Sequence, residues 1–84
     1  MRLYYETKNK ECCTKLYKTD KGNYSIITEQ SDGYITVDAN CIPQKTAKEI
    51  RRVMADYNND NIDEQTMNSL IENILMDDDT AMIM

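Results

Sequence analysis

The apolar pattern of the chain changes period once, and the change falls beside its single proline. Up to Cys41 the apolar residues sit in short runs of strand-forming residues separated by polar turns. After Pro43 they recur at three- and four-residue spacing. A period of two marks one face of a strand, and a period near 3.6 marks one face of a helix. A strand half followed by a helical half predicts an α+β domain rather than a helix bundle or a β-sandwich. With 84 residues the chain is expected to form one domain over 1–84, with strands in 1–41, two helices in 43–76 and a tail in 77–84.

Within the strand half, Arg2-Leu-Tyr-Tyr-Glu-Thr7 is rich in strand formers. Lys8-Asn9-Lys10 supplies a polar turn. In the next run Cys12, Thr14 and Leu16 share one face, and Cys13, Lys15 and Tyr17 the other. Asp20-Lys21-Gly22-Asn23 and Ser31-Asp32-Gly33 are turns whose glycines accept a left-handed backbone. They bracket a third strand from Tyr24 to Glu29 and precede a fourth from Tyr34 to Val37. Short turns join antiparallel neighbours, so the expected sheet is a four-stranded antiparallel meander.

In the helical half, Thr46-Ala-Lys-Glu49 and Asn61-Ile-Asp-Glu64 have the spacing of capping boxes. The first opens a helix with the stripe Ile50, Val53, Met54 and Tyr57, and the second a helix with the stripe Met67, Leu70, Ile71, Ile74 and Leu75. Both stripes are expected to pack together and on one sheet face. Acidic side chains oppose the dipole at a helix C-terminus, so the second helix should end or fray near Met76, before Asp77-Asp78-Asp79.

Composition narrows the chemistry. Histidine is absent, so no Ser-His-Asp or Cys-His device can be built, and the commonest neutral-pH acid/base is missing. The expectation is a protein that is not an enzyme and uses no cofactor. Cys12, Cys13 and Cys41 are odd in number and lack zinc-ligand spacing, so they read as reduced cysteines. No apolar run suggests a signal peptide or a membrane span, and a cytoplasmic location is expected.

Charge is segregated along the chain. Residues 1–42 are balanced, with six basic and six acidic residues, and residues 43–58 carry a net +2. Residues 59–84 hold seven acids and no base: Asp60, Asp63, Glu64, Glu72, Asp77, Asp78 and Asp79. Such a surface repels nucleic acid and draws basic protein surfaces. On the first helix Lys45, Lys48 and Arg52 lie together, opposite Ile50 and Met54. They read as a solvated face, paired with acids of the second helix, as a phosphate contact, or as a contribution to a protein interface. The six tyrosines read as half-buried sheet surface or as binding surface.

Two stretches invite a metal. Asp56, Asn58 and Asp60 match the first three ligand positions of an EF-hand or dockerin calcium loop, which this segment resembles. The match fails where glycine is expected, at Asn61, and at the closing carboxylate, where Met67 stands. The competing reading is a polar loop in which Asn58 or Asn59 ends one helix and Asn61 caps the next. The aspartate run could likewise be a metal cage, a solvated helix end or a partner-binding patch with Met82, Ile83 and Met84 as apolar contacts.

Small size, a strand-rich half with two helices, no catalytic residues, and the acids Asp60, Asp63, Glu64, Glu72 and Asp77 to Asp79 make the chain similar to small phage-type inhibitors, including anti-CRISPR proteins. The resemblance implies a non-catalytic, protein-binding inhibitor. Its carboxylates would imitate phosphates and occupy a basic nucleic-acid-binding surface of the target; from the acidic charge and the absence of a long apolar run, no direct contact to nucleic acid or membrane is expected. The alternatives are a structural or adaptor subunit of a homo- or hetero-oligomer, and a calcium-responsive helix-loop-helix module.

Overall fold

A computed structural model describes residues Met1–Met84. The elements run β1 (Arg2–Glu6), β2 (Cys12–Lys18), β3 (Tyr24–Gln30), β4 (Ile35–Ile42), α1 (Gln44–Asn58), α2 (Glu64–Met76) and β5 (Met82–Ile83). The fold is α+β, with all neighbouring strands antiparallel in one open sheet of order β1-β2-β3-β4-β5. The expected meander of four strands is therefore corrected to five. The tail adds a short edge strand, with Ile83 opposite Ala39 and Met82 opposite Asn40.

The two turn glycines take the left-handed conformation read from their sequence context, Gly22 at φ 87° and Gly33 at φ 91°. Gly33 closes the β3–β4 hairpin by donating its N–H to the Gln30 carbonyl at 2.9 Å.

The sheet is less regular than strict alternation would make it. A bulge between Leu3 and Tyr5 breaks the β1–β2 register. Tyr4 and Tyr5, adjacent in sequence, both reach Arg51 of α1: the guanidinium carbon lies 4.9 Å from the Tyr4 ring centroid and 5.2 Å from that of Tyr5. These are cation–π distances. Two further irregularities lie between β3 and β4, where Ile26 faces Ala39 while Ile27 faces Val37. Asp38 is the extra residue of the second, and the first contains Cys41 at φ 57°. An extra residue lets two consecutive side chains share one face. Asp38 thus joins Ala39 on the helix side, where its carboxylate accepts a hydrogen bond from the Thr28 hydroxyl.

Leu16, Tyr24, Ile26, Ala39 and Ile42 from the sheet form one buried cluster with Ala47, Ile50, Met54, Met67, Ile71 and Leu75 from the helices. Two apolar helix stripes on one sheet face build this core. Burying a full-size aliphatic side chain contributes about 1.5–3 kcal/mol, so these residues outweigh every surface contact described below.

Both capping boxes are displaced from their expected places. α1 begins at Gln44 behind Pro43, which makes no side-chain cap. Thr46 lies inside the first turn, and its hydroxyl bonds elsewhere. α2 is capped by Asp63, not Asn61, with Asp63 Oδ1 accepting the Thr66 N–H at 2.7 Å. The C-terminus of α2 at Met76 is where the dipole argument put it. No helix is long and apolar enough to cross a membrane.

Candidate functional site

Helix α2 and its two flanks carry all seven acids of the last third, but they do not form one continuous patch. With 13 residues and a rise of about 1.5 Å each, α2 separates Asp63 from Asp77 by roughly 20 Å. Three stations result.

The first lies at the α1–α2 loop, against the β1–β2 turn. Asp60, in a left-handed conformation at φ 63°, forms a salt bridge with Lys8. Glu64 Oε2 accepts from Asn9 Nδ2 at 2.8 Å. The hydrogen bond from the Thr66 side holds the Asp63 carboxyl below the usual carboxylate range. Asn58 is fully engaged: its amide nitrogen donates to Tyr5 Oη at 3.2 Å and to the Glu6 carbonyl at 3.0 Å, and its Oδ1 accepts the Lys8 N–H at 2.8 Å. Of the candidate calcium ligands Asp56, Asn58 and Asp60, the last two are thus bonded within the chain. No three His, Cys, Asp or Glu side chains converge here or elsewhere as a metal cage.

The second station is the end of α2. Asp77 is its C-cap, and Asp77 and Asp79 are exposed. Asp78 is half-buried and differs from both neighbours. Its Oδ2 accepts from the Thr46 hydroxyl, and its Oδ1 accepts the Thr80 N–H at 2.8 Å and the Ala81 N–H at 3.3 Å. These bonds, Thr46 first, lower its pKa from the ordinary carboxylate value. Asp78 therefore turns the chain back along β4, and the tail Met82–Ile83 follows as β5. Met84 N–H extends the pairing to the Asp38 carbonyl at 2.9 Å. Lys45, Glu49 and Ile74 line a shallow depression with the three aspartates.

The third station is Glu72, alone on the flank of α2. It borders a cleft of about 610 Å³ between α2 and the β3–β4–β5 corner, with Thr28, Asp38, Ile71, Ile83 and Met84 among its walls. No Lys or Arg lines this cleft. Asp38 faces it only because of the β4 bulge. Its one visible signal in the sequence is an aspartate interrupting a run of strand formers, Tyr34-Ile-Thr-Val-Asp38.

The salt bridges of the chain are Lys8–Asp60, Lys15–Glu29 and the N-terminal amine with Asp20. The basic side of α1 is consequently not paired with acids of α2, contrary to one expectation above. Tyr4, Lys48, Arg51 and Arg52 line their own shallow depression on α1. Arg51, read from the sequence only as charge, holds the two tyrosines of β1. Set against protein-family models, curated proteins and solved structures, the chain matches none of them.

Proposed function

We propose that this protein is a non-catalytic protein-binding module of the phage-type inhibitor kind. In this reading its acidic helix surface occupies a basic, nucleic-acid-binding surface of a target protein. One observation carries the proposal: of the seven acids in residues 59–84, only Asp60 has an ion-pair partner within the chain. Uncompensated charge on a rigid helix is preorganised for a partner that supplies the opposite sign, and it speeds encounter by steering. Asp77 and Asp79, exposed on either side of the anchored Asp78, are the acids best placed to meet such a surface without disturbing the fold.

The test is affinity capture with the intact protein from its native host, followed by binding measurements on the captured partner. Binding should weaken steeply between low and high salt, be displaced by nucleic acid, and weaken in Asp77→Asn/Asp79→Asn. Binding that ignores both salt and that double substitution would falsify the proposal.

The alternative of a structural or adaptor subunit draws support from the sheet face opposite the helices. Leu3, Ile35 and Val37 are exposed there, Val37 at 42% and Ile35 at 58%. Apolar side chains grouped on one sheet face are a common basis for assembly. Light scattering over a concentration series tests this alternative: homo-assembly gives a mass that rises with concentration, and a constant mass leaves the adaptor reading only hetero-assembly.

A further inference from the structure

The corner where β4 outruns β5 combines an open strand edge with an acid-lined apolar cleft. β4 spans Ile35–Ile42, but β5 pairs only with Ala39 and Asn40, and Met84 adds one bond to Asp38. The stretch Ile35–Val37 is thus a free edge. Its polarity follows from the hairpin. Gln30 N–H donates to the Tyr34 carbonyl at 2.8 Å, and Thr28 faces Thr36. Hydrogen-bonded and non-bonded pairs alternate in an antiparallel ladder. Ile35 and Val37, in the non-bonded positions, therefore turn their backbone N–H and C=O groups outward.

The side chains along this edge alternate in chemistry as well as direction. Ile35 and Val37 pair with Glu29 and Ile27 on the face away from the helices. Asp38 opens on the helix side into the cleft that Glu72, Ile71, Ile83 and Met84 also line. Neither Asp38 nor Glu72 has a cationic partner in the chain. A strand laid against Ile35–Val37 would set every second side chain beside Ile35 and Val37, and the intervening ones toward Asp38 and Glu72.

We propose that this corner is a docking site for an extended segment of a protein partner in which apolar and basic residues alternate. Backbone bonds form to Ile35 and Val37, and a Lys or Arg enters the cleft. The aliphatic stem of that residue lies on Ile71 and Ile83 and its charge meets Asp38 and Glu72. The inference rests on the reading that the partner is a protein with a basic surface. It names where and in what conformation that partner is held.

The experiment titrates the isotope-labelled protein with a synthetic heptapeptide alternating valine and lysine, followed by backbone amide NMR. The expected result is shifts centred on Ile35, Val37, Asp38 and Met84. Affinity should fall by about tenfold in Asp38→Asn/Glu72→Gln and stay unchanged in Asp20→Asn, whose exposed carboxylate lies in the β2–β3 turn. The same peptide N-methylated at alternate amides on its pairing edge should lose binding, which tests strand addition with the protein left intact. Loss of binding in Asp77→Asn/Asp79→Asn alone would overturn this site while supporting the proposed function. Absence of binding by the peptide overturns this site and leaves the capture experiment standing. A dimer formed through Ile35–Val37, seen as concentration-dependent shifts without peptide, would give the edge to a second copy and overturn the proposal as well.

Discussion

Thr46, in the first turn of α1, donates its hydroxyl to the carboxylate of Asp78, two residues beyond the end of α2. This contact joins two helix ends that local sequence leaves incomplete. α1 has no side-chain N-cap, and Asp78 follows a C-terminus whose dipole disfavours it. Beside the N-terminus of α1, the same carboxylate meets a favourable dipole. The placement of one aspartate of the run is therefore explained by tertiary structure, while Asp77 and Asp79 remain exposed.

The contact makes stability depend on pH. The pKa of Asp78 is lowered in the folded state, chiefly by Thr46, so the folded state holds its proton less tightly than the unfolded chain. The resulting stabilisation is present above the ordinary carboxylate pKa and is lost as pH falls through the depressed one. Thermal melting followed by circular dichroism should show Asp78→Ala melting below the natural protein at neutral pH. The two curves should converge at strongly acid pH. An equal gap at both ends would remove the charge from the explanation. Hydrogen exchange should also show Met84 losing protection first in this variant, because its N–H bonds the Asp38 carbonyl only while Asp78 aims the tail onto β4.

The cap of α2 can be assigned by a pair of substitutions. Asp63 accepts the Thr66 N–H, whereas the side chain of Asn61 makes no hydrogen bond. Asp63→Ala should lower the melting temperature by several degrees, and Asn61→Ala should leave it nearly unchanged. The reverse order would restore the capping box read from sequence.

That displaced box shows which parts of this fold are legible in the chain. Periodicity is summed over many residues, so the α+β class, the meander and the apolar stripes survive local exceptions. Caps and bulges depend on one residue each. Asn61-Ile-Asp-Glu64 and Asp63-Glu-Gln-Thr66 are both acceptable starts, and the chain takes the second, two residues on. Asp60 and Glu64 meanwhile engage Lys8 and Asn9 of the β1–β2 turn, contacts more than fifty residues away in sequence. The fifth strand was hidden because only two of its residues pair, too few for any period. Of the site, the seven acids are plain in the sequence, but their division into three stations and the role of Asp38 follow from helix length and a bulge.

The weight of the core against the surface gives a third prediction. Ile50 is fully buried between α1 and the sheet, and Leu70 is 40% exposed. Ile50→Ala removes buried methyl groups and leaves a cavity, costing about 2–5 kcal/mol. A chain of this size has only about 4–12 kcal/mol of stability. Urea unfolding should place the midpoint of Ile50→Ala far below that of the natural protein. Leu70→Ala should cost under about 1.5 kcal/mol, since much of its side chain already meets water. Similar losses at both positions would mean that the helices do not seat on the sheet as described.

The free cysteines supply the last test, because one of them senses the acids around it. Cys12 lies at the start of β2 and is partly buried. Its pKa is raised, first by burial and then by the negative charge of Glu64 and Asp38. The thiolate is the reactive form, so a raised pKa slows alkylation at neutral pH. Mass spectrometry of iodoacetamide-treated folded protein should find Cys12 modified more slowly than a free cysteine. Its rate should climb only at more alkaline pH. Glu64→Gln removes one of the charges and should speed the reaction modestly, with unfolding in urea abolishing the difference between variant and natural protein. A Cys12 rate that ignores Glu64→Gln would leave burial and the charge of Asp38 as the causes and would place the Glu64 carboxylate farther from β2 than its hydrogen bond to Asn9 requires.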